Sequence, residues 1–360
     1  MKHKIGAVIV AAGLSSRMKD FKPLLNIGKK TMIETVIENF QSIGAEEIVI
    51  VIGHRSRDIE RKLVDYKVRL VKNENYESNH MFDSVCIGMK ELEHKLDMVF
   101  ITPSDSPFVQ KFTLNKMIEE MEDNNLKVIQ PSYENENGHP LLLSKDAVSK
   151  VLKHDGTKGL QGAIDKFVSG FRNISFADPG IVLDADTPQD YFKLLEYNED
   201  KNIPSMELCL KIHDYFNISD DVKDHSFKVA MAAAGICERL TEKGIALNCK
   251  TVIAASLLHD IAKGNRDHSR IGAHWLSEMG YDEIAEIVNC HIELEGIPEV
   301  LTEKEVVYLA DKIAKGIKLV SIEDRFSAKE ELYKHDEDIL NNIEKRKSLA
   351  LNLYNSVFNS

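Results

Sequence analysis

The chain has 360 residues, enough for two domains of ordinary size. Hydrophobic residues make up 43% of it, which supplies material for more than one core and argues against intrinsic disorder. The formal net charge of -12 argues against general nucleic-acid or anionic-membrane binding, because either partner would require a basic face.

Membrane and secretion signals are also weak. No apolar run near the start approaches the ~20 residues that a membrane span requires. The five cysteines are scattered, odd in number and free of any CxxC pair, which favours reduced thiols and a cytoplasmic location.

Up to about residue 196, short runs rich in Val and Ile alternate with amphipathic stretches. Buried strands are predicted at 6–10, 47–52, 98–101 and 128–130, and intervening helices at 31–42, 82–92 and 113–122. This alternation is typical of an α/β doubly wound, Rossmann-like fold with a mostly parallel sheet.

Beyond residue 205 the pattern is helical and predicts an all-α domain. Helices are predicted at 206–215, 223–243, 249–261, 270–279, 282–290 and 304–314. A polar stretch closed by Pro204 predicts a linker between the two parts. The expected organisation is a first domain at 1–196, a linker at 197–204, a second domain at 205–325 and a helical tail at 326–360.

The first predicted strand leads into residues 11–18, whose sequence is AAGLSSRM. The small residues Ala11, Ala12 and Gly13 let backbone N–H groups approach a triphosphate without obstruction by a Cβ atom. Ser15 adds a hydroxyl donor. The simpler alternative is a strand–turn–helix connection with no ligand.

Two basic residues favour the phosphate interpretation. Arg17 and Lys22 supply positive charge where a leaving pyrophosphate would develop negative charge. We therefore assign both as candidate catalytic residues.

The string resembles the signature loop of the nucleotidyltransferases that attach a nucleotide to molybdopterin, and more broadly of enzymes that move a nucleotide from an NTP onto a phosphate. Lys19 stands where that family usually has glycine. Later motifs arrive in the family's order up to about residue 195: Asn73–Tyr76 with Ser84, Ser104–Pro107, Gly138–Pro140 and Asp184–Asp190.

The resemblance implies that Ser84 borders the nucleotide, that Asp105 contacts nucleotide and metal, and that Asp186 is a second metal ligand. Mg²⁺ is the expected cofactor, since carboxylates and phosphate oxygens together suit it. Either aspartate could instead cap a helix. The Ala-Ala-Gly version of the loop resembles that of the cytidylyl-transferring branch of the family, which implies CTP as the NTP. The family resemblance also implies molybdopterin as the acceptor and partners in molybdoenzyme maturation.

In the second half, imidazole and carboxylate groups recur beside apolar helical segments. These positions are His225, His259, Asp260, His268, His291 and Asp311. A mixed set of six such ligands suits one or two ions of Mn, Fe, Zn or Ni.

The pattern His…His-Asp…Asp resembles the HD superfamily of metal-dependent phosphohydrolases, over about residues 206–325. His268 and His291 resemble the additional ligands of the binuclear members. The resemblance implies metal-activated water that attacks a phosphorus atom. Lys263, one turn after His259, is a candidate phosphate contact, or else a solvated lysine at a helix end.

The sequence thus predicts a bifunctional enzyme, a nucleotidyltransferase joined to a phosphohydrolase. The alternative is a sugar- or alcohol-phosphate nucleotidyltransferase whose HD part is a regulatory, non-catalytic ligand-binding module.

Overall fold

The computed structural model describes residues 3–18 and 20–359. They fall into two compact units that divide between Glu199 and Asp200. No helix within these described ranges combines the length and the apolar character needed to cross a bilayer.

The first unit is built on a mainly parallel sheet. The strands of the unit are β1 (Ile5–Ala11), β2 (Asn26–Ile27), β3 (Lys30–Thr31), β4 (Glu47–Ile52), β5 (Arg69–Lys72), β6 (Met98–Pro103), β7 (Val128–Tyr133), β8 (Glu136–Asn137), β9 (Leu141–Ser144) and β10 (Phe171–Ser175). Of these, β2 and β3 form a separate antiparallel pair. Its helices are α1 (Met32–Ser42), α2 (Ser56–Lys62), α3 (Met81–Leu92), α4 (Lys111–Asp123), α5 (Lys145–Val151), α6 (Gly159–Ile164) and α7 (Pro188–Asp200).

The strand order in the main sheet is β10-β7-β9-β6-β1-β4-β5, with β8 pairing on β7. The pairs β1–β4, β1–β6, β4–β5 and β7–β10 are parallel, whereas β9 runs antiparallel between β6 and β7. The predicted mostly parallel sheet is confirmed, with β9 as the antiparallel exception that the sequence pattern did not indicate.

Helices cover both faces of this sheet. Phe100 of β6 packs on Phe40 of α1, while its neighbours Val99 and Ile101 belong to the core cluster that contains Val85 of α3. Because successive side chains of a strand point to opposite faces, α1 and α3 lie on opposite sides. The doubly wound prediction is therefore confirmed.

Gly88 allows α3 to approach the sheet closely. A Cβ atom at this position would lie 2.4 Å from Val8 and 2.9 Å from Val51. The glycine is thus required by helix–sheet packing.

The second unit is helical. Its elements are α8 (Met206–Tyr215), α9 (Asp220–Glu242), α10 (Cys249–Leu258), α11 (His268–Glu278), α12 (Asp282–Cys290), α13 (Glu303–Ile313), β11 (Ala314–Lys315), β12 (Lys318–Leu319), α14 (Ile322–Leu332) and α15 (Glu337–Phe358). The short hairpin β11–β12 was not predicted; Gly316, at φ +55°, supplies the left-handed residue of its turn.

The core of the second unit follows the helical period. Val229, Ala233, Ile236 and Leu240 form one buried stripe of α9, and α9 packs on α10 and α13.

The boundary differs in detail from the prediction. Residues 197–200, expected in the linker, form the last turn of α7. The next helix begins at Met206, where the Ser205 side chain accepts a hydrogen bond from the backbone N–H of Leu208. The connection between the two helices is therefore shorter than the predicted linker.

The expectation that all five cysteines are reduced is wrong. Cys237 and Cys249 form a disulfide, with their Cα atoms 6.1 Å apart. They stand 12 positions apart in sequence, and the packing of α9 on α10 brings them together. Cys86, Cys209 and Cys290 are free thiols. Cysteine spacing consequently gives no support for a reducing compartment.

Candidate active sites

The first candidate site lies where the carboxyl ends of β1 and β6 meet. These strands pair in parallel with Val10 opposite Pro103, so the loops that follow them emerge at one edge of the sheet. This is where open α/β sheets bind ligands.

Lys22 is the centre of this site. Its Nζ lies 3.0 Å from Oδ2 of Asp105 and 2.7 Å from Oδ1 of Asp186. Arg17 contributes a guanidinium nitrogen 2.9 Å from Oδ2 of Asp186. The structure thus brings together the two predicted catalytic cations and the two predicted metal-binding carboxylates.

The exposure of these two cations differs. The side chain of Lys22 is 12% exposed and that of Arg17 is 69% exposed. Lys22 begins a 3₁₀ turn that continues with Pro23. Lys22 is therefore largely shielded from solvent, whereas Arg17 extends into it.

Electrostatic coupling within the cluster is strong. Burial by itself would lower the pKa of Lys22, but Asp105 and Asp186 raise it above its ordinary value. The hydrogen bond from Lys22 lowers the pKa of Asp186. Burial, followed by repulsion from Asp105 and Asp186, raises the pKa of Asp184 to about 6. Three carboxyl groups therefore share one neighbourhood with the two cations.

The helix-cap alternative for Asp186 is not what the structure shows. Oδ2 of Asp190 accepts hydrogen bonds from the backbone N–H and the hydroxyl of Thr187, at 3.1 and 2.7 Å. These contacts cap α7, whereas Asp186 pairs with Lys22 and Arg17. Asp105 likewise lies before α4, whose N-cap position is Gln110.

The loop after β1 has a backbone open to a ligand. A Cβ atom added at Gly13 would meet no heavy atom within 4 Å among the described residues, so packing does not require this glycine. Ser15 adopts a positive φ of 52°, and its Oγ accepts a hydrogen bond from the N–H of Lys22 at 3.4 Å. Ala11 and Ala12 are buried at the base of the loop. Lys19 lies outside the described residues.

Ser84 has a structural partner. It is buried in the first turn of α3, and its Oγ accepts a hydrogen bond from Nδ2 of Asn73 at 3.0 Å. Asn73 also accepts from the backbone N–H of Asn75 and from the side chain of Asn79. This hydrogen bond between Asn73 and Ser84 ties the loop that follows β5 to the first turn of α3.

His139 adds a group to this edge. Burial lowers its pKa, while the negative charge of Asp105 acts in the opposite direction. Its Nδ1 is buried and has no hydrogen-bond partner among the described residues. The sequence analysis noted the Gly-His-Pro turn that contains His139 but assigned no role to this imidazole, which is neutral and close to Asp105.

The second candidate site is a cluster of imidazoles and carboxylates inside the helical unit. The six predicted ligands come from the ends or interiors of five helices: His225 from α9, His259 and Asp260 after α10, His268 from α11, His291 after α12 and Asp311 from α13. All six converge.

Asp260 is common to two potential metal sites. One contains His225, His259 and Asp260, and the other contains Asp260, His268 and His291, each with ligand atoms within 4.8 Å of one another. Oδ1 of Asp260 lies 3.2 Å from Nε2 of His268 and 3.7 Å from Nε2 of His291.

Backbone carbonyls orient the buried imidazoles. Nδ1 of His259 donates to the carbonyl oxygen of Ser256 at 2.8 Å, and Nδ1 of His291 donates to that of Val288 at 2.6 Å. Each Nε2 is then unprotonated in the neutral ring and available as a ligand. This second contact is typical of metal-binding histidines.

The donor set fits divalent transition metals. Nε2 of His259 and Oδ1 of Asp260 are buried without a hydrogen-bond partner in the described part of the chain. Burying such atoms unpaired is costly, and a metal ion would satisfy both. Imidazole nitrogen mixed with carboxylate oxygen suits Mn, Fe, Zn or Ni.

Asp311 is surrounded by cations. Its carboxylate oxygens lie 2.7 Å from Nζ of Lys312, and 3.2 Å from both Arg325 and His225. Although burial acts in the opposite direction, these charges hold the pKa of Asp311 well below its usual range. Lys312 also donates to the carbonyl oxygen of His291 at 2.9 Å.

Lys263 lies at the rim of the cluster. Its Nζ is 2.9 Å from Oδ2 of Asp260, and its side chain is half exposed. Sequence reasoning missed Lys312 and Arg325. For Lys312, its position directly after Asp311 could have indicated a contact with the site. For Arg325 there was no such signal, because it stands 14 residues after Asp311.

Comparisons with known proteins agree with this division. A family model described as MobA-like NTP transferase domain matches residues 7–172, and one described as HD domain matches residues 222–316. The molybdenum cofactor cytidylyltransferase of Escherichia coli is 26% identical over 195 residues, which cover 53% of this chain and 96% of that protein.

Other relatives are only partly covered. The bifunctional protein GlmU of Staphylococcus carnosus is 27% identical over 170 residues, which are 46% of this chain and 37% of GlmU. A solved nucleotidyl transferase from Methanothermobacter superposes with a TM-score of 0.48 at 21% identity, over 56% of this chain and all of that one. On the family matches, the chain carries a MobA-like NTP transferase domain over residues 7–172 and an HD domain over residues 222–316.

Proposed function

We propose that the first unit transfers a nucleotidyl group from an NTP, with CTP favoured, to a phosphate-bearing acceptor such as molybdopterin. The observation that carries this proposal is the position of Lys22 between Asp105 and Asp186, with Arg17 alongside. Opposite charges concentrated at the open edge of an α/β sheet suit a metal-bound triphosphate.

The transfer is an in-line displacement. A phosphate oxygen of the acceptor forms a bond to the α-phosphorus of the NTP, and the bond from that phosphorus to the pyrophosphate oxygen breaks. Pyrophosphate leaves with the bonding electron pair, and its growing negative charge is stabilised by Lys22 and Arg17. The displacement requires no proton transfer from either cation.

Asp105 and Asp186 are the residues that would hold Mg²⁺. When bound, the ion screens the repulsion between the two anionic reactants. Gly13 and Ser15 provide a loop whose backbone can approach the phosphates.

The preference for CTP and molybdopterin rests on two supports. One, which bears on CTP alone, is the Ala-Ala-Gly form of the loop. The other is the alignment with the Escherichia coli molybdenum cofactor cytidylyltransferase over nearly its whole length. On this proposal the protein works beside partners that mature molybdoenzymes.

We also propose that the second unit hydrolyses a nucleotide or another phosphoester. The supporting observation is that Asp260 is shared by two groups of potential ligands. One or two divalent ions held there would polarise the phosphate oxygens and activate water. Water then forms a bond to phosphorus and gives up a proton, the bond to the leaving oxygen breaks, and that proton goes to the leaving oxygen. Lys263, whose Nζ lies 2.9 Å from Oδ2 of Asp260, would contact a phosphate at the rim of the site.

The test of the transferase proposal measures pyrophosphate release from each of the four NTPs, with molybdopterin, a sugar phosphate or an alcohol phosphate as the acceptor. Release from CTP that requires molybdopterin supports the proposal. Release that requires a sugar or alcohol phosphate would contradict the assigned acceptor.

The test of the hydrolase proposal measures phosphate release by the metal-loaded protein from nucleotides and phosphoesters. Asp260→Asn should abolish it. Tight nucleotide binding without turnover across the panel would identify the HD unit as a regulatory module instead.

A further inference from the structure

The HD cluster opens into a cavity with an excess of cations. The cavity has a volume of about 150 Å³, and the ligands Asp260, His268, His291 and Asp311 form one side of it. Five basic side chains also line it: Lys263, Lys312, Arg325, Lys329 and Arg346. Its only acidic lining residues within the described chain are Asp260 and Asp311.

Three of these cations come from α14 and α15. Arg325 and Lys329 are one turn apart on α14, and Arg346 lies on α15. All three lie after residue 316, where the match to the HD family model ends. The buried side chains of Phe326 and Ile343, which also line the cavity, anchor the two helices at its wall.

Nearby acids do not fully neutralise these groups. Arg325 pairs with Asp311 at 3.2 Å, but that carboxylate is shared with Lys312 and His225. Arg346 pairs with Glu293 at 3.0 Å, yet its Nε is buried and has no hydrogen-bond acceptor in the described residues. Crowding of positive charge around one cavity is unfavourable unless an anion occupies it.

We propose that α14 and α15 make the HD site selective for ligands with several linked phosphates. One phosphate lies at the metal ligands, and Arg325, Lys329 and Arg346 bind the phosphates that follow it. The proposal rests on the hydrolase function proposed above and names its substrate class.

The cavity size agrees with this class. Pockets for drug-sized molecules usually measure about 300–1,000 Å³, so a cavity of about 150 Å³ suits the phosphate groups alone. The organic part of a nucleoside or dinucleoside polyphosphate then lies outside. Guanidinium groups that bind phosphate in two-point contacts provide the selectivity over a single phosphate.

The test compares orthophosphate with inorganic tripolyphosphate by calorimetry on the full-length, Mn²⁺-loaded protein. Lys22→Ala is present throughout, to suppress binding at the transferase site. Tripolyphosphate should bind at least about tenfold more tightly than orthophosphate, since it gains charge-assisted contacts with the basic side chains of α14 and α15. Equal affinities for the two anions would overturn the proposal.

Variants of the basic residues on α14 and α15 distinguish their contribution to binding from that of the metal ligands. Lys329→Ala and Arg346→Ala together should weaken tripolyphosphate binding by about tenfold or more while changing orthophosphate binding by less than about threefold. Lys347→Ala is the matched control, because it removes a positive charge next to Arg346 from a side chain that pairs with Glu330. It should change neither tripolyphosphate binding nor orthophosphate binding. Lys329→Ala alone provides the test should the Arg346 variant fail to fold, since residue 329 is exposed.

Bound Mn²⁺, measured by elemental analysis, distinguishes the two proposals. It should be unchanged in the tail variants and lost in Asp260→Asn. If Asp260→Asn retains all its Mn²⁺, the proposed metal site is wrong. If metal binding follows expectation but the tail variants keep full tripolyphosphate affinity, the inference about the tail is wrong.

Discussion

The ammonium group of Lys22 lies 2.7 Å from a carboxylate oxygen of Asp186, a residue 164 positions further along the chain. This contact joins the loop after β1 to the segment before α7. Each residue was a candidate from its local motif, and their meeting indicates that both motifs belong to one site.

Replacing either cation of this site should impair transfer. Lys22→Ala and Arg17→Ala are each expected to lower kcat for pyrophosphate release by about 10² or more, because they remove charge directed at the developing pyrophosphate. Lys30→Ala is the control, since Lys30 pairs with Glu38 on the surface. A wild-type kcat in either test variant would exclude that residue from the site.

The two aspartates that flank the start of α7 should behave differently. Asp186→Asn should abolish transfer by removing a metal ligand, with little change in thermal stability. Asp190→Ala should lower the free energy of unfolding by about 1 kcal/mol through loss of the helix cap, and should retain transfer. Thermal unfolding and pyrophosphate release on both variants check this. If Asp186→Asn lowered the free energy of unfolding but kept transfer activity, the assignment of Asp186 as the metal ligand and Asp190 as the cap would be reversed.

Metal content tests the shared position of Asp260. The full-length protein should bind two transition-metal ions in the HD unit, and Asp260→Asn should lose both. His268→Ala should lose one. His274→Ala is the control, because this side chain is 68% exposed and lies outside both ligand groups. A stoichiometry of one that is unaffected by His268→Ala would show that His268 is structural.

The sequence indicated the central strands and both ligand sets because their signals are local. Continuous apolar runs mark β1, β4 and β6, which are buried on both faces. β5 and β10 were missed because their residues are largely exposed or half-buried. They lie at the two ends of the strand order, where an apolar pattern is weakest.

What depends on tertiary contacts could not be predicted in this way. The charges of Arg325 and Arg346 have the pattern of an ordinary solvated helix, and only the packing of α14 and α15 turns them toward Asp311 and the cavity. The Cys237–Cys249 disulfide likewise depends on the packing of two helices. Such features carry no local signature.

Stability should depend on pH through Asp178 in the first unit. This buried carboxylate accepts hydrogen bonds from the backbone N–H groups of Gln110 and Gly180 and from the hydroxyl of Thr113. Burial outweighs these contacts and raises its pKa from 3.8 to about 6.

Between about pH 4 and pH 6, folded Asp178 therefore keeps a proton that the unfolded chain has lost. The free energy of unfolding should fall by about 3 kcal/mol as the pH rises through this window, and this contribution should be constant above it. Asp178→Asn should remove this dependence. Denaturant unfolding of both proteins at several pH values measures it, and parallel curves would contradict the assignment.

We propose that this one chain carries two separate catalytic sites. The most direct measurement is pyrophosphate release and phosphate release on Asp105→Asn, on Asp260→Asn and on the double variant. Asp105→Asn should lose transfer and keep hydrolysis, and Asp260→Asn should do the reverse, because the two sites share no ligands. Loss of both activities in a folded, fully metallated Asp105→Asn protein would contradict the account.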